Sequence, residues 1–156
     1  GCDPWNEEAV TRLCKLKNRP LSKGLILIAA NYSQVLPFVD DFNIPMDRRT
    51  EIFSSWPGPN TWLLPKSKKA PAWITGEHEL IAVRITNHPT VVDLCNQLNA
   101  PLVSTSANRS GNEACRTIEE AKVIFEDVVV IDGLTQGNEN PSIIRNGMTG
   151  QIIRGA

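Results

Sequence analysis

The run from Leu25 to Ala30 constrains the fold of this chain more than any other stretch, because none of its residues is polar. A strand that is apolar at every position is covered on both faces, as happens in sheets that are flanked by helices. The run from Val128 to Ile131 has the same character and predicts a second strand of this kind. Both runs therefore predict an α/β fold.

Helical and strand-like patterns alternate through most of the chain. Five helices are predicted: one that ends near Lys17, one within Asn31–Asp41, Met46–Trp56, Pro89–Leu98, and Thr117 to about Glu126. The first is capped by Asn6 or Asp3, and the next three are capped by Ser33, Asp47 and Asn87, in that order. The other predicted strands are Thr61–Leu64, Leu80–Thr86, Leu102–Val103, Ser142–Arg145 and Gln151–Arg154. We expect a twisted, mixed sheet with helices on its faces.

The length of the chain limits the number of domains, and its net charge bears on whether it binds nucleic acid. A chain of 156 residues is long enough for one domain with a core and short for two, so residues 1–156 are expected to form a single domain. The formal net charge of −1 gives no global reason to expect a nucleic-acid partner. No apolar run approaches a membrane span and no signal-peptide pattern begins the sequence, so we expect a cytoplasmic protein, either monomer or homodimer.

Several kinds of site have no pattern in this sequence. The cysteines Cys2, Cys14, Cys95 and Cys115 form no C-x-x-C pair and have no zinc-type spacing with a histidine, so free thiols and no metal site are expected. The sequence has no phosphate-binding P-loop, no G-x-G-x-x-G and no G-x-S-x-G motif. We therefore assign no side chain as a catalytic acid, base or nucleophile.

The stretch Pro101–Gly111 is the strongest candidate for a binding site. It begins as a short apolar strand and then changes to the small hydrogen-bonding residues Ser104, Thr105, Ser106 and Asn108. Hydroxyl, amide and turn N–H groups just past a strand end suit phosphate oxygens. A serine-rich turn that satisfies its own hydrogen bonds fits the same composition.

Positive side chains precede the first buried strand and interrupt a later one. Lys17, Arg19 and Lys23 lie within seven residues and could neutralise a polyphosphate, although cations at a helix end are also commonly solvated. Arg84 stands among alternating apolar residues of the strand Leu80–Thr86. Its planar fork suits a carboxylate or phosphate, and a structural ion pair is the other interpretation.

Basic residues elsewhere are candidates for RNA contact. The loop between Pro65 and Pro71 carries Lys66, Lys68 and Lys69, which either bind phosphates or are merely solvated. Arg109 and Arg116 are further candidates on the loop after the strand Leu102–Val103.

Five segments, in order along the chain, resemble the YrdC-like threonylcarbamoyl-AMP synthase family. They are Lys17-Asn18-Arg19-Pro20 with Lys23, Trp56-Pro57-Gly58-Pro59 with Thr61, Ala82-Val83-Arg84-Ile85 with His88-Pro89, Ser106-Ala107-Asn108-Arg109-Ser110-Gly111, and Asn140-Pro141-Ser142. The match is nearest to the short, single-domain bacterial type, whose members carry an additional strand-rich segment before Gly1-Cys2-Asp3-Pro4. By this resemblance, a segment that would supply part of the threonine pocket is missing here: either the sequence is truncated, or the protein departs from its family in a way that removes part of the active site.

The resemblance implies an enzyme that makes threonylcarbamoyl-AMP and pyrophosphate from L-threonine, bicarbonate and ATP with Mg²⁺, for threonylcarbamoyladenosine in tRNA. It implies that Lys17, Arg19 and Lys23 hold the triphosphate and that Ser104, Ser106 and Asn108 bind phosphate oxygens. By the same resemblance, Ser142 and Arg145 contact the nucleotide, Thr61 lines the pocket, and Arg84 takes a phosphate or the threonine carboxylate. tRNA or tRNA-modification proteins are the implied partners.

Two other functions fit parts of the sequence. A non-catalytic RNA-binding module in tRNA or ribosome maturation would use the basic residues named above and need no ATP. A carbamoyl-transfer domain of related fold would normally belong to a longer chain. The resemblance favours the synthase.

Overall fold

The apolar run at Leu25–Ala30 forms an inner strand of a mixed sheet in a computed structural model that describes residues 1–126, 128–131, 133 and 141–155. The strands are β1 (Ile26–Ala29), β2 (Asn60–Pro65), β3 (Leu80–Ile85), β4 (Leu102–Ser104), β5 (Ile143–Asn146) and β6 (Ile152–Arg154). Their order across the sheet is β4-β1-β3-β2-β5-β6. The pairs β1–β3 and β2–β5 are parallel, and the other three are antiparallel. The predicted mixed α/β sheet is confirmed.

The helices occupy the segments between strands. They are α1 (Glu7–Lys17), α2 (Tyr32–Val35), α3 (Arg49–Ser54), α4 (Ala72–Thr75), α5 (Pro89–Leu98) and α6 (Ile118–Ile124), with short 3₁₀ turns at Leu21–Lys23, Leu36–Phe38, Asp41–Asn43 and Met46–Arg48. None of the described helices is long and apolar enough to span a membrane. All four cysteines are free thiols, as expected.

The predicted helix caps are right at two helices and wrong at three. The side chains of Asn6 and Thr117 accept hydrogen bonds from the first turns of α1 and α6. At α2 the cap is Asn31 rather than Ser33, because the Asn31 side chain accepts from the backbone N–H of Gln34. No side chain caps α3 or α5, so the predictions for Asp47 and Asn87 are wrong.

The strand predicted at Val128–Ile131 is also wrong. These residues form neither a helix nor a strand, and Val129 is 87% exposed. A β-branched run becomes a strand only when the edge of another strand is available to accept its hydrogen bonds. The loop predicted between residues 132 and 140 falls almost entirely outside the described residues.

The two faces of the sheet differ in burial. One face carries the aligned residues Val103, Leu27, Val83 and Trp62, which are at most 1% exposed and pack against the helices. The other face carries Ser104, Ile26, Ala82 and Leu63 in one row, all of them half-buried. Because side chains alternate along a strand, each strand contributes to the core and to an accessible face at once.

Candidate functional site

A cavity of about 480 Å³ opens on the half-buried face of the sheet. Its floor includes Ile26, Ala82 and Leu63, which are aligned on neighbouring strands. Arg19 and Arg154 also line it, from the loop after α1 and from β6. Two guanidinium groups thus line the same cavity, next to the apolar residues of the sheet.

The two cavity arginines are held in the same way. Arg19 donates from Nε and Nη2 to the carbonyl of Gly24 at 3.3 and 3.0 Å. Arg154 donates from Nε and Nη2 to the carbonyl of Ser142, also at 3.3 and 3.0 Å. Burial lowers the pKa of Arg154, and the positive charge of Arg19 lowers it further. Two like charges that are fixed by neutral carbonyls make a site suited to a multiply charged anion.

A second row of residues crosses the same face. Ile28, Arg84, Thr61, Ile144 and Arg154 are aligned from β1 to β6. The Nε of Arg84 donates to the carbonyl of Gly58 at 3.0 Å, and burial lowers the pKa of this side chain. The turn before β2 therefore orients Arg84.

The predicted pocket residue Thr61 lies inside the wall of the site. Its side chain is fully buried, and its hydroxyl lies 2.7 Å from the hydroxyl of Ser142. The Ser142 hydroxyl also accepts from Nη2 of Arg154 at 3.5 Å. Thr61 and Ser142 therefore support an arginine of the cavity.

The loop after β4 is organised by Lys17 at the end of α1. The Nζ of Lys17 donates to the carbonyls of Ser106 and Asn108 and to Oδ1 of Asn108. The Ser106 hydroxyl donates to the same Oδ1 at 2.6 Å. Ser104 begins this loop from the row that contains Ile26. No described residue of the loop lines the cavity beside Arg19; Lys17 and Ser106 instead line a separate cavity of about 240 Å³.

The sequence analysis did not single out Arg154, which lines the cavity, and named Arg145 as a nucleotide contact. Arg145 lies on the core side of β5, where its guanidinium is 5.6 Å from the Trp62 ring centroid and 3.8 Å from Glu51. Alternation along the predicted strand Ser142–Arg145 was the signal that Ile144 and Arg145 face opposite ways. Arg154 was inside a predicted strand, but no sequence signal gave its partner.

The other predicted residues are spread over the surface. Lys23 is exposed at the rim of the cavity. Lys66 donates to the carbonyl of His78 and lies 3.9 Å from a Glu79 oxygen, whereas Lys68 and Lys69 are exposed. The exposed loop residues Arg109 and Arg116 follow β4, and strands β1 and β3 lie between β4 and β2 in the sheet.

Metal-ligating groups do not cluster in the part of the chain that the structure describes. Within residues 1–126, 128–131, 133 and 141–155, no three His, Cys, Asp or Glu side chains are placed to hold one ion. The charged and polar side chains that line the cavity are those of Arg19, Lys23, Thr75, His78, Glu79 and Arg154.

The sequence matches a protein family over its whole length. The Sua5/yciO/yrdC family, described as "Telomere recombination", matches residues 1–156. A protein of Pseudoalteromonas atlantica named threonylcarbamoyl-AMP synthase is 58% identical over 155 residues, which are 99% of this chain and 83% of that protein. A protein of Yersinia enterocolitica with the same name is 52% identical, over 99% of this chain and 82% of its own length.

Solved structures share the fold. Sua5 of P. abyssi, whose structure was determined with L-threonine, superposes with a TM-score of 0.83 at 28% identity, over 92% of this chain and 42% of that one. YciO of E. coli gives a TM-score of 0.77 at 20% identity, over 99% of this chain and 78% of its own. The second likeness bears on the fold alone.

Proposed function

Because this chain belongs to the Sua5/yciO/yrdC family, we propose that it is a threonylcarbamoyl-AMP synthase. The observation that carries the proposal is the agreement of relatives that are 50–58% identical over 99% of the chain and share that name. The substrates are L-threonine, bicarbonate and ATP. The same relatives support the synthase over a non-catalytic RNA-binding module.

The reaction needs no protein nucleophile. The threonine amine and bicarbonate form a carbamate and water, and a carbamate oxygen then attacks the α-phosphorus of ATP. A new P–O bond forms, the bond from the α-phosphorus to the bridging oxygen breaks, and pyrophosphate leaves. The protein contributes orientation of the reactants and stabilisation of the negative charge, which arginine, hydroxyl and amide groups supply.

The cavity arginines bind the polyphosphate in this proposal. Arg19 and Arg154 already point Nε and Nη2 at carbonyl oxygens, so each guanidinium is oriented before a ligand arrives. Relief of their mutual repulsion by an anion favours binding. Lys23 at the rim adds a further positive charge.

The remaining predicted ligands have roles beside the phosphates. Arg84 receives the threonine carboxylate, since its fork suits bidentate binding and it lies on the same face. From the loop after β4, Ser104, Ser106 and Asn108 approach phosphate or carbamate oxygens; Ser106 can donate to one only after its hydroxyl leaves Oδ1 of Asn108. Thr61 and Ser142 act indirectly, because their hydroxyls pair with each other and Ser142 accepts from Arg154.

The proposal extends to cofactor, partner and compartment. Mg²⁺ enters as part of MgATP, and phosphate oxygens carry most of its coordination. The product supplies the threonylcarbamoyl group for adenosine in tRNA, in the cytoplasm. The chain acts as a monomer or homodimer.

Pyrophosphate release tests the function. We expect release from MgATP that requires both L-threonine and bicarbonate, and a loss of about tenfold or more in Arg154→Met, because charge-assisted hydrogen bonds contribute roughly 1.5–3 kcal/mol. Arg12→Met is the matched control, since Arg12 is exposed on α1. Release that is independent of threonine, or equal losses in both variants, would contradict the proposal.

A further inference from the structure

Lys17 is buried to a degree that is rare for lysine. It is the last residue of α1 and only 4% exposed. Lysines are almost never fully buried unless their charge finds partners. Those partners all belong to the loop after β4, about ninety residues further along the chain.

The hydrogens of the Lys17 ammonium are all used by this loop. An ammonium has three N–H donors. Nζ donates to the Ser106 carbonyl, to the Asn108 carbonyl at 2.7 Å and to Oδ1 of Asn108 at 3.0 Å. A phosphate oxygen could gain a hydrogen bond from Nζ only if one of these three were broken.

The backbone of Lys17 holds the same loop at a second point. The N–H of Ser110 donates to the Lys17 carbonyl at 2.7 Å. The end of α1 thus contacts the loop both at residues 106–108 and at residue 110.

These contacts decide how the predicted ligands are presented. Oδ1 of Asn108 accepts from both Lys17 and the Ser106 hydroxyl, and Nδ2 donates to the Asn112 carbonyl at 2.6 Å. The orientation of the Asn108 amide and the direction of the Ser106 hydroxyl hydrogen are therefore both set. Without the ammonium, two carbonyls and one amide oxygen would lose a charged donor.

We propose that Lys17 is a positioning residue that fixes the Ser106–Ser110 loop, and that it does not itself bind the triphosphate. The inference has two halves. The loop half, that Lys17 fixes the Ser106–Ser110 loop, depends only on the contacts described above. The ligand half, that Lys17 does not bind the triphosphate, rests on the proposed function. Arg19 lines the cavity on the sheet face, whereas Lys17 lines the separate cavity that Ser106 also lines.

Amide hydrogen exchange of the unliganded protein tests the loop half. In Lys17→Met we expect exchange at residues 106–112 to be faster by about tenfold or more, because opening of the loop no longer breaks the ammonium bonds. Lys15→Met is the matched control, since Lys15 is an exposed lysine of the same helix turn. Unchanged exchange in the folded Lys17→Met variant would overturn the inference, whatever the activity of the protein.

A double-mutant cycle tests the ligand half. If Lys17 acts through the loop, Lys17→Met combined with Asn108→Ala lowers kcat/KM for pyrophosphate release little more than the larger single change does. If the losses multiply, Lys17 contacts the substrate directly and the inference fails. Absence of release in the wild-type protein would instead count against the proposed function and leave the exchange result standing.

The wild-type protein supplies a measurement that does not depend on a variant's folding. The ¹H–¹⁵N signal of the Lys17 ammonium should be visible without ligand, because its hydrogens are buried and bonded. It should keep its chemical shift when pyrophosphate is added, while signals of the Arg19 guanidinium move. A Lys17 signal that moves as far as the Arg19 signals would overturn the inference.

Discussion

At the scale of single residues, the site depends on side chains whose donors are already committed to backbone oxygens. Each cavity arginine uses Nε and Nη2 on one carbonyl. A lysine has no planar fork and could not hold this orientation with the same pair of bonds. Lys17 shows the opposite use of a cation, since all of its donors are spent within the protein.

The hydrogen bonds among Tyr32, Asp41 and Arg49 change the pKa values of the tyrosine and the aspartate. The Tyr32 hydroxyl donates to Oδ1 of Asp41 at 2.6 Å, and Arg49 donates to the same oxygen at 3.1 Å. The hydrogen bond from Tyr32, followed by the contacts with Arg49, lowers the pKa of Asp41 despite the opposing effect of burial. Burial and Asp41 raise the pKa of Tyr32.

Tyr32→Phe should therefore destabilise the protein in a pH-dependent way. At pH 7 we expect a loss of about 1–3 kcal/mol in the free energy of unfolding, because a hydrogen bond to a charged group is removed. Asp41 stabilises the fold above its unfolded pKa and loses this effect as the pH falls through its lowered pKa, so the difference between variant and wild type shrinks below about pH 3.8.

Above about pH 10 the wild type alone should lose stability through this tyrosine, because the raised pKa of Tyr32 keeps it protonated in the folded state only. Denaturant titrations at acid, neutral and alkaline pH measure all three effects. A difference that is the same at every pH would contradict the assignment.

At the scale of elements, the β5–β6 hairpin decides which residue enters the cavity. The register shifts between Ile144 and Arg145, so the residue opposite Ile144 is Arg154, while Arg145 is opposite Ile152. A shift of one residue moves side chains to the other face of a strand. The turn that follows β5 is fixed by Gly147, whose N–H donates to the Leu63 carbonyl at 2.8 Å.

Gly147→Ala should weaken both the hairpin and the site. A Cβ at Gly147 would lie 2.6 Å from Leu64 Cδ2 and 2.7 Å from the Leu63 carbonyl oxygen, so the turn has to move away from β2. We expect a loss of about 1–3 kcal/mol in the free energy of unfolding and weaker pyrophosphate binding by calorimetry, because Arg154 moves with the hairpin. Gly155→Ala is the control, since nothing lies within 4 Å of its added Cβ. Equal effects of the two substitutions would refute this reading of the turn.

At the scale of the whole molecule, one face of the sheet contributes to the hydrophobic core and the other contributes to the cavity. One face carries the fully buried core residues Leu27, Val83 and Trp62, whereas Ile26, Ala82 and Leu63 on the opposite face line the cavity. Adjacent residues of β3 therefore have different tasks: Ile81 is fully buried in the core, and Ala82 is half-buried and lines the cavity.

A substitution at Ile81 should affect mainly stability, whereas a substitution at Ala82 should affect mainly ATP binding. Ile81→Val is expected to lower the free energy of unfolding by about 0.5–1.5 kcal/mol and to leave ATP affinity within about twofold of the wild type. Ala82→Leu is expected to weaken ATP binding by about tenfold or more, because the larger side chain fills the cavity, with a smaller effect on stability than on binding. Denaturation and calorimetry on both variants measure the four values. Loss of ATP affinity in Ile81→Val alone would show that the two faces are not separate.

The sequence by itself determined the class of fold and most of its elements. The apolar run at Leu25–Ala30 predicted an inner strand, and helical periodicity with a capping Asn6 predicted α1 correctly, because both depend on local pattern. The family resemblance supplied the function, which the relatives support. The assignment of individual site residues to ligands stays a prediction.

Tertiary structure decided what depends on partners distant in the sequence. Val128–Ile131 has the composition of a strand but is irregular in the structure, and no ladder between the described strands includes it. Arg154 lines the cavity because β6 pairs with β5 so that Arg154 is opposite Ile144, and side-chain identity does not encode this pairing. Lys17 satisfies its charge on carbonyls about ninety residues away, and only the folded chain brings those oxygens to it.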